Sequence, residues 1–215
     1  MKELDLNGIT ALQPLSGCAD EWYYALGYPY GDLYEAQELF EAGNTMNGND
    51  LFLVHYPDAE VFRPVSGQPG RYAGEPVYAG RTVYCMYADF REGQIHILAF
   101  DCRTKETSVC AEIPLSSVKD CYNLRLHVYP LTLSRQPNDG TFEMIWPERK
   151  TIAVESRESF FLRDREKLYF STWYEDPEYH EVTVIRHADT GEVLERLPGD
   201  IRLMPDGQLW YFKGR

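Results

Sequence analysis

Four short aromatic-rich runs recur along the chain at nearly constant spacing, and this regularity restricts the fold more than any other feature. They begin at Val83 (Val-Tyr-Cys-Met), Leu126 (Leu-His-Val-Tyr), Leu168 (Leu-Tyr-Phe-Ser) and Leu209 (Leu-Trp-Tyr-Phe), at intervals of 43, 42 and 41 residues. Self-similarity at a period of this size marks an architecture assembled from repeated supersecondary units. Further runs of strand character lie at 51–54, 59–65, 94–100, 107–113, 142–146, 151–154, 182–186 and 193–197. Their connectors carry Asn138-Asp139-Gly140, Thr190-Gly191 and Asp206-Gly207, residue types that close tight turns. The chain also holds 16 Tyr, 10 Phe and 4 Trp, and aromatic side chains favour the pleated, half-buried surface of a sheet.

One segment departs from this texture. Asp32 with Glu35 three residues later has the form of a capping box, and Leu33, Ala36, Leu39 and Phe40 follow at helical spacing. Gly43 and Asn44 end the pattern, which predicts one helix near 32–42. Residues 66–80 hold four Gly and two Pro and read as a loop. The 65 residues before that loop would make a poor core alone, so a single domain over 1–215 is expected, its irregular and helical segment 1–48 packed on a β region 49–215.

Two segments agree inside the repeat. Phe100-Asp-Cys-Arg-Thr-Lys-Glu-Thr leads into Val109-Cys-Ala-Glu-Ile113, and His187-Ala-Asp-Thr-Gly-Glu-Val leads into Leu194-Glu-Arg-Leu197. Both read as a hairpin between outer strands of one unit. With these turns and the period of about 40–45, the size of a four-stranded blade, residues 81–215 resemble the blades of a β-propeller. The resemblance implies a mainly β fold of antiparallel sheets. The Gly-His and Trp-Asp marks of WD40 blades are absent, as is a kelch double glycine, and the run at Leu51 stands 32 residues before Val83. A β-sandwich or barrel of antiparallel hairpins is the alternative arrangement of the same strands.

Charge and cysteine content limit the function. The formal net charge of −13 opposes binding to phosphate backbones and to anionic lipid, so neither nucleic acid nor membrane is an expected partner. The start, Met-Lys-Glu-Leu-Asp-Leu-Asn-Gly, has no apolar core of a signal peptide, and no apolar run approaches the roughly 18 residues of a membrane helix. Five cysteines without C-x-x-C spacing argue against a zinc knuckle or a redox pair. Free thiols in a reducing cytoplasm are expected, with Cys85 and Cys110 buried in apolar strands and inert.

No nucleophile elbow, phosphate loop or dinucleotide fingerprint occurs. Three places could still carry a site. Asp20-Glu21-Trp22-Tyr23-Tyr24, followed by Tyr28 and Tyr30, sets aromatics beside carboxylates, although packing on the sheet uses the same residues. The run Tyr174-Glu-Asp-Pro-Glu-Tyr-His-Glu181 is the densest polar cluster and has the character of an exposed hairpin tip. His55, His96 and His127 fall on predicted strands, where a hydrogen-bonded structural role competes with metal binding. The cations Arg157, Arg163, Arg165 and Lys167 interleave with Glu155, Glu158, Asp164 and Glu166, which reads as a solvated, mutually paired stretch.

These observations lead to a non-enzymatic binding or interaction protein on a β scaffold. Asp20, Glu21, Trp22, Tyr24, Trp173 and Glu175 are its candidate contacts to a protein or a small carbohydrate, and no cofactor or metal is implied. A glycosidase-like enzyme is the alternative, drawing its carboxylates from Asp20, Glu21, Asp89 and Glu175. A subunit that pairs with itself through an aromatic face is a third reading, to be supported by an exposed apolar patch.

Overall fold

Alternation of inward and outward side chains resolves the strand runs into sheets. The computed structural model describes residues 1–18, 21–176, 178–204 and 208–214. The chain divides into two units, Met1–Leu126 and His127–Arg215. Asp20, a candidate contact, lies outside the described residues, as do Asp206 and Gly207 of one expected turn.

In the first unit β1 (Gln13–Pro14), β2 (Trp22–Leu26), the helix α1 (Leu33–Glu41), β3 (Leu51–His55) and β4 (Val61–Val65) come first. Next are β5 (Arg71–Ala73), β6 (Val77–Ala79), β7 (Thr82–Asp89), β8 (Gln94–Asp101) and β9 (Thr107–Pro114). The chain passes between units within β10 (Arg125–His127). The second unit continues with β11 (Thr132–Arg135), β12 (Thr141–Trp146), β13 (Lys150–Ala153) and β14 (Ser159–Asp164). It ends with β15 (Lys167–Tyr174), β16 (His180–His187), β17 (Val193–Leu203) and β18 (Leu209–Lys213).

Among the described residues these strands form four antiparallel sheets, ordered β1-β2-β3-β4, β5-β7-β8-β9, β10-β11-β12-β13 and β14-β15-β16-β17-β18, with β6 also on β7. Three of them are meanders of sequential neighbours, whereas in the other β5 and β6 both pair with β7, β5 along 87–89 and β6 along 82–84. The fold is mainly β and propeller-like, as the blade resemblance implies. Among the described residues no helix is long and apolar enough to cross a membrane.

The repeat is most exact at one turn. His55, Asp101 and His187 each end the third strand of their sheet, and the N–H of each donates to the carbonyl of the glutamate five residues on, Glu60, Glu106 and Glu192, at 2.9–3.0 Å. The N–H groups of Ala59, Lys105 and Gly191 return to the carbonyls of His55, Asp101 and His187, each at 2.8 Å. Those returning residues have φ of 65°, 64° and 73°, the left-handed conformation that closes the turn. Asp101 Oδ1 accepts from the N–H groups of Arg103 and Thr104, at 2.7 and 2.9 Å. His187 Nδ1 takes the same role for Asp189 and Thr190, at 3.1 and 3.3 Å. The backbone hydrogen bonds are thus held constant while the capping side chain changes.

Packing follows the two-residue alternation of the strands. In the first unit Trp22, Tyr24 and Leu26 of β2 join Leu51 and Leu53 of β3, Val83 and Cys85 of β7, and Leu98 and Phe100 of β8 in one buried cluster. The opposite face of β2 and β3 presents Ala25, Phe52 and Val54, and Leu4, Leu6 and Ile9 of the N-terminal arm cover it. In the second unit Phe142, Met144, Ile152, Leu168, Phe170 and Val184 form the corresponding cluster.

The helix has the expected capping box. Asp32 accepts from the N–H groups of Tyr34 and Glu35, and Glu35 accepts from that of Asp32, at 2.8–2.9 Å. Its packing face differs from the expected one: Leu33, Ala36 and Gln37 are buried, whereas Leu39 is exposed. Gln37 is drawn inward because its Oε1 accepts from the Cys121 N–H at 2.7 Å. The segment 66–80, expected as a loop, contains β5 and β6. Asn49 holds β5 in place: its amide oxygen accepts from the Ala73 N–H at 2.6 Å and its nitrogen donates to the Ala73 carbonyl at 3.1 Å. Gly48 permits the approach, since a Cβ there would stand 2.4 Å from the Arg71 carbonyl.

Asp50 gives this region a pH dependence. Burial alone would raise its carboxyl pKa, but hydrogen bonds from the Gly67 N–H (2.6 Å), Arg63 Nε (3.1 Å) and Asn7 Nδ2 (2.7 Å) outweigh burial and hold it below the ordinary value. A carboxyl depressed in the folded state contributes stability that is complete above its unfolded pKa of about 3.9 and is lost as pH falls through the folded value. Asp50→Asn is therefore expected to be less stable than the natural chain at pH 7, with the difference shrinking as pH falls from 5 to 3. Urea midpoints across that range test this, and a difference independent of pH contradicts it.

Candidate binding cleft

The second unit carries a cleft of about 570 Å³ lined by Ser156, Arg157, Ser159, Trp173, Glu175 and Asp176. This lies within the roughly 300–1,000 Å³ of small-molecule sites. One wall is the end of β15. There Trp173, opposite Glu181 in the β15–β16 register, is 54% exposed despite its size. Beside it Tyr174 stacks on its cross-strand partner His180, rings 5.0 Å apart and 12° from parallel. The Arg157 guanidinium stands 5.4 Å from the Tyr174 ring centre, which ties the two walls together.

The other wall is the connection from β13 to β14, and a buried ion pair fixes it. Glu158 has no exposed side-chain surface, and Arg186 of β16 meets it with Nε and Nη2 at 2.8 and 2.9 Å. Arg186 Nη1 donates further to the Gly191 carbonyl at 2.7 Å, in the repeated turn. Glu158 also accepts from the Glu155 N–H at 3.2 Å, while Gln136 donates to the Glu158 carbonyl and accepts from the Phe160 N–H. Ser156 and Arg157 therefore sit on a loop anchored at Glu158, and Ser159 opens β14 directly after the anchor. The reading of 155–167 as wholly solvated needs correction at Glu158, because its counter-ion is 28 residues away in sequence and buried beside it.

The remaining candidate contacts have other surroundings. Trp22 is 2% exposed, its ring 4.8 Å from His55, 5.4 Å from Phe100 and 5.8 Å from Phe62, with the Lys105 ammonium 4.3 Å from its centre. Tyr24 is buried in the same cluster and donates to Gln13 Oε1 at 2.7 Å, and burial pushes its phenol pKa up. Glu21 is exposed, and its carbonyl accepts from the Tyr56 N–H at 2.8 Å. Asp89 is buried and caps a turn, accepting from the N–H groups of Arg91 and Glu92 at 3.1 and 3.0 Å. Trp173 and Glu175 are thus brought to one cleft, while Trp22 and Tyr24 share a core.

The three strand histidines belong to three different sheets. His96 is buried and stacks on Tyr87 at 4.6 Å, and His127 meets the Phe160 ring edge-on at 4.6 Å. His55 pairs with Asp58 at 2.8 Å within its turn. With Glu60 these two place potential ligand atoms within 4.8 Å of one another, a His-x-x-Asp-x-Glu grouping within one turn that the three strand histidines do not point to. Cys85 is fully buried, and burial raises its thiol pKa as expected. Cys110 is exposed, which corrects its expected burial: it lies on β9, the outermost strand of its sheet, where few residues are covered.

No protein-family model and no curated protein matches the chain. Among solved structures it is similar to TolB from Acinetobacter baumannii, with 13% identity and a TM-score of 0.45 over 96% of this chain and 46% of that one. It is also similar to a bifunctional GH43-CE protein of Bacteroides eggerthii, with 11% identity and a TM-score of 0.43 over 98% of this chain and 32% of that one. A third is a protein provisionally described as a 6-phosphogluconolactonase from Bacteroides uniformis, with 12% identity and a TM-score of 0.38 over 98% of this chain and 79% of that one. The chain spans less than half the length of the first two.

Proposed function

We propose that the chain is a non-enzymatic binding protein that takes a small carbohydrate in the Trp173 cleft. The observation that carries this reading is a half-exposed indole set among hydroxyl, guanidinium and carboxylate groups in one concave site. An exposed indole face packs against the C–H face of a sugar ring. Glu175 and Asp176 accept hydrogen bonds from its hydroxyls, and Ser156, Ser159 and Arg157 donate to its oxygens. The anchored loop favours binding further, since a wall already in place loses little freedom when a ligand arrives.

Binding is favoured over hydrolysis by where the carboxylates stand. Glycoside cleavage ordinarily needs two carboxyl groups flanking one bond. Glu175 and Asp176 are neighbours on one wall, and among the described residues the facing wall supplies Ser156, Arg157 and Ser159.

The test is a thermal-shift and calorimetric screen of neutral mono- and disaccharides against the natural chain, Trp173→Ala and Glu175→Gln. A saccharide at one hundred times its dissociation constant adds about 2.7 kcal/mol to the folded state. For a chain of this length that raises the melting temperature by about 5–10 °C. Trp173→Ala is expected to weaken binding at least tenfold. A panel without any shift, or a shift unchanged in Trp173→Ala, overturns the proposal.

A further inference from the structure

We propose that β18 is a homodimerisation edge, at which two copies of the chain pair their Leu209–Lys213 strands antiparallel about a two-fold axis through Tyr211. The inference is independent of the Trp173 cleft. It rests on the strand's backbone pattern and on the order of its side chains.

Among the described residues β18 has one neighbour, β17, and ends its sheet. The β17–β18 register pairs Arg202 with Trp210 and Asp200 with Phe212. On either side of these, the Met204 N–H donates to the Gln208 carbonyl at 2.8 Å and the Gly214 N–H to the Pro198 carbonyl at 2.7 Å. Hydrogen-bonded pairs alternate with non-hydrogen-bonded ones along an antiparallel ladder. The inward-bonding residues of β18 are therefore Trp210 and Phe212. The N–H and C=O groups of Leu209, Tyr211 and Lys213 point to the open edge.

Such an edge is a template for another strand, and natural proteins usually blunt it with charge, proline or a bulge. Here the three central residues are aromatic, with Trp210, Tyr211 and Phe212 exposed to 50%, 42% and 48%, and Lys213 at the end is the strand's one charge. The sequence is also self-complementary. With Tyr211 opposite its symmetry mate, Leu209 falls opposite Lys213, and all three outward residues become hydrogen-bonded pairs. Trp210 then falls opposite Phe212 at the close, non-hydrogen-bonded positions, twice, on one face. Aromatic cross-strand pairs of this kind stabilise a ladder, and no like charges face each other across the seam. This pattern selects a second copy over an unrelated peptide.

The net charge sets the sign of the salt dependence. Two chains of −13 repel at long range, and salt screens that repulsion, so dimerisation should strengthen as ionic strength rises from 20 to 300 mM. A basic peptide on the same edge would bind more weakly with salt.

Sedimentation velocity of the natural chain from 1 to 200 μM is expected to show a concentration-dependent dimer of the 24.9 kDa chain, favoured by salt. Tyr211→Pro should weaken dimerisation at least tenfold while leaving the far-UV spectrum unchanged, because the N–H it removes faces outward and proline is tolerated there. Tyr211→Lys sets two lysines face to face at the axis, and it should weaken the dimer equally without altering the backbone. It reads the same question should the proline variant misfold. A natural chain that stays monomeric at 200 μM, or a dimer that persists in the well-folded Tyr211→Lys variant, overturns the proposal.

Discussion

Arg186→Ala is expected to lower folding stability by about 3–5 kcal/mol, the cost of leaving a buried charge without its partner. Glu158 is sealed from solvent, and Arg186 reaches it with two nitrogens at 2.8 and 2.9 Å. Truncating the arginine strands that carboxylate and also frees the Gly191 carbonyl, which accepts from Nη1 at 2.7 Å. Urea unfolding followed by circular dichroism measures the effect. At a slope of about 2–3 kcal/mol per molar, typical for chains of this size, the midpoint should fall by about 1–2 M. The double variant Arg186→Met with Glu158→Leu should recover most of the loss, because replacing both partners by apolar groups of similar volume is often neutral or better. A loss under about 1 kcal/mol in the single variant would show that water reaches Glu158. The same anchor holds Ser156, Arg157 and Ser159, so saccharide affinity should fall in Arg186→Ala even at temperatures where the variant remains folded.

What was legible in the sequence, and what was not, follows from the range of each interaction. The capping box of α1 lies within four residues and reads directly from Asp32 and Glu35. The turns after β8 and β16 are equally local, and their backbone bonds match one for one. The period was legible, but aromatic runs mark it imperfectly. Val83 and Leu168 both lie on the second main strand of their sheets, in β7 and β15, whereas Leu126 lies on β10, the first of its sheet, and Leu209 on β18, the last of its own. The residues in equivalent places are His55, Asp101 and His187, at intervals of 46 and 86 residues, two different residue types that fill one hydrogen-bonding role. The Glu158–Arg186 pair was hidden among alternating charges because burial is a property of the assembled sheet. Gln37 was hidden likewise, since its partner, the Cys121 N–H, is 84 residues away.

The second large effect is expected at Trp22, and comparison with Trp173 gives it meaning. Both tryptophans sit on strands beside carboxylates in sequence, and that context does not tell them apart. Strand register does: Trp22 faces the core with Tyr24 and Leu26, while Trp173 stands over the cleft. Trp22→Ala removes a ring packed against His55, Phe62 and Phe100 and takes away the surface on which Lys105 lies. The loss should be about 3–5 kcal/mol, as for other large-to-small changes at buried aromatics. Trp22→Phe retains part of the packing and should lose less. Trp173→Ala, by contrast, should change stability by no more than about 0.5 kcal/mol, since a half-exposed side chain leaves no cavity. Urea midpoints and saccharide titrations of both variants therefore form a crossed test. Stability lost at Trp22 with binding kept in the folded fraction, and binding lost at Trp173 with stability kept, is the expected pattern. The opposite pattern would move the ligand site to the first unit and leave the Trp173 cleft without a role.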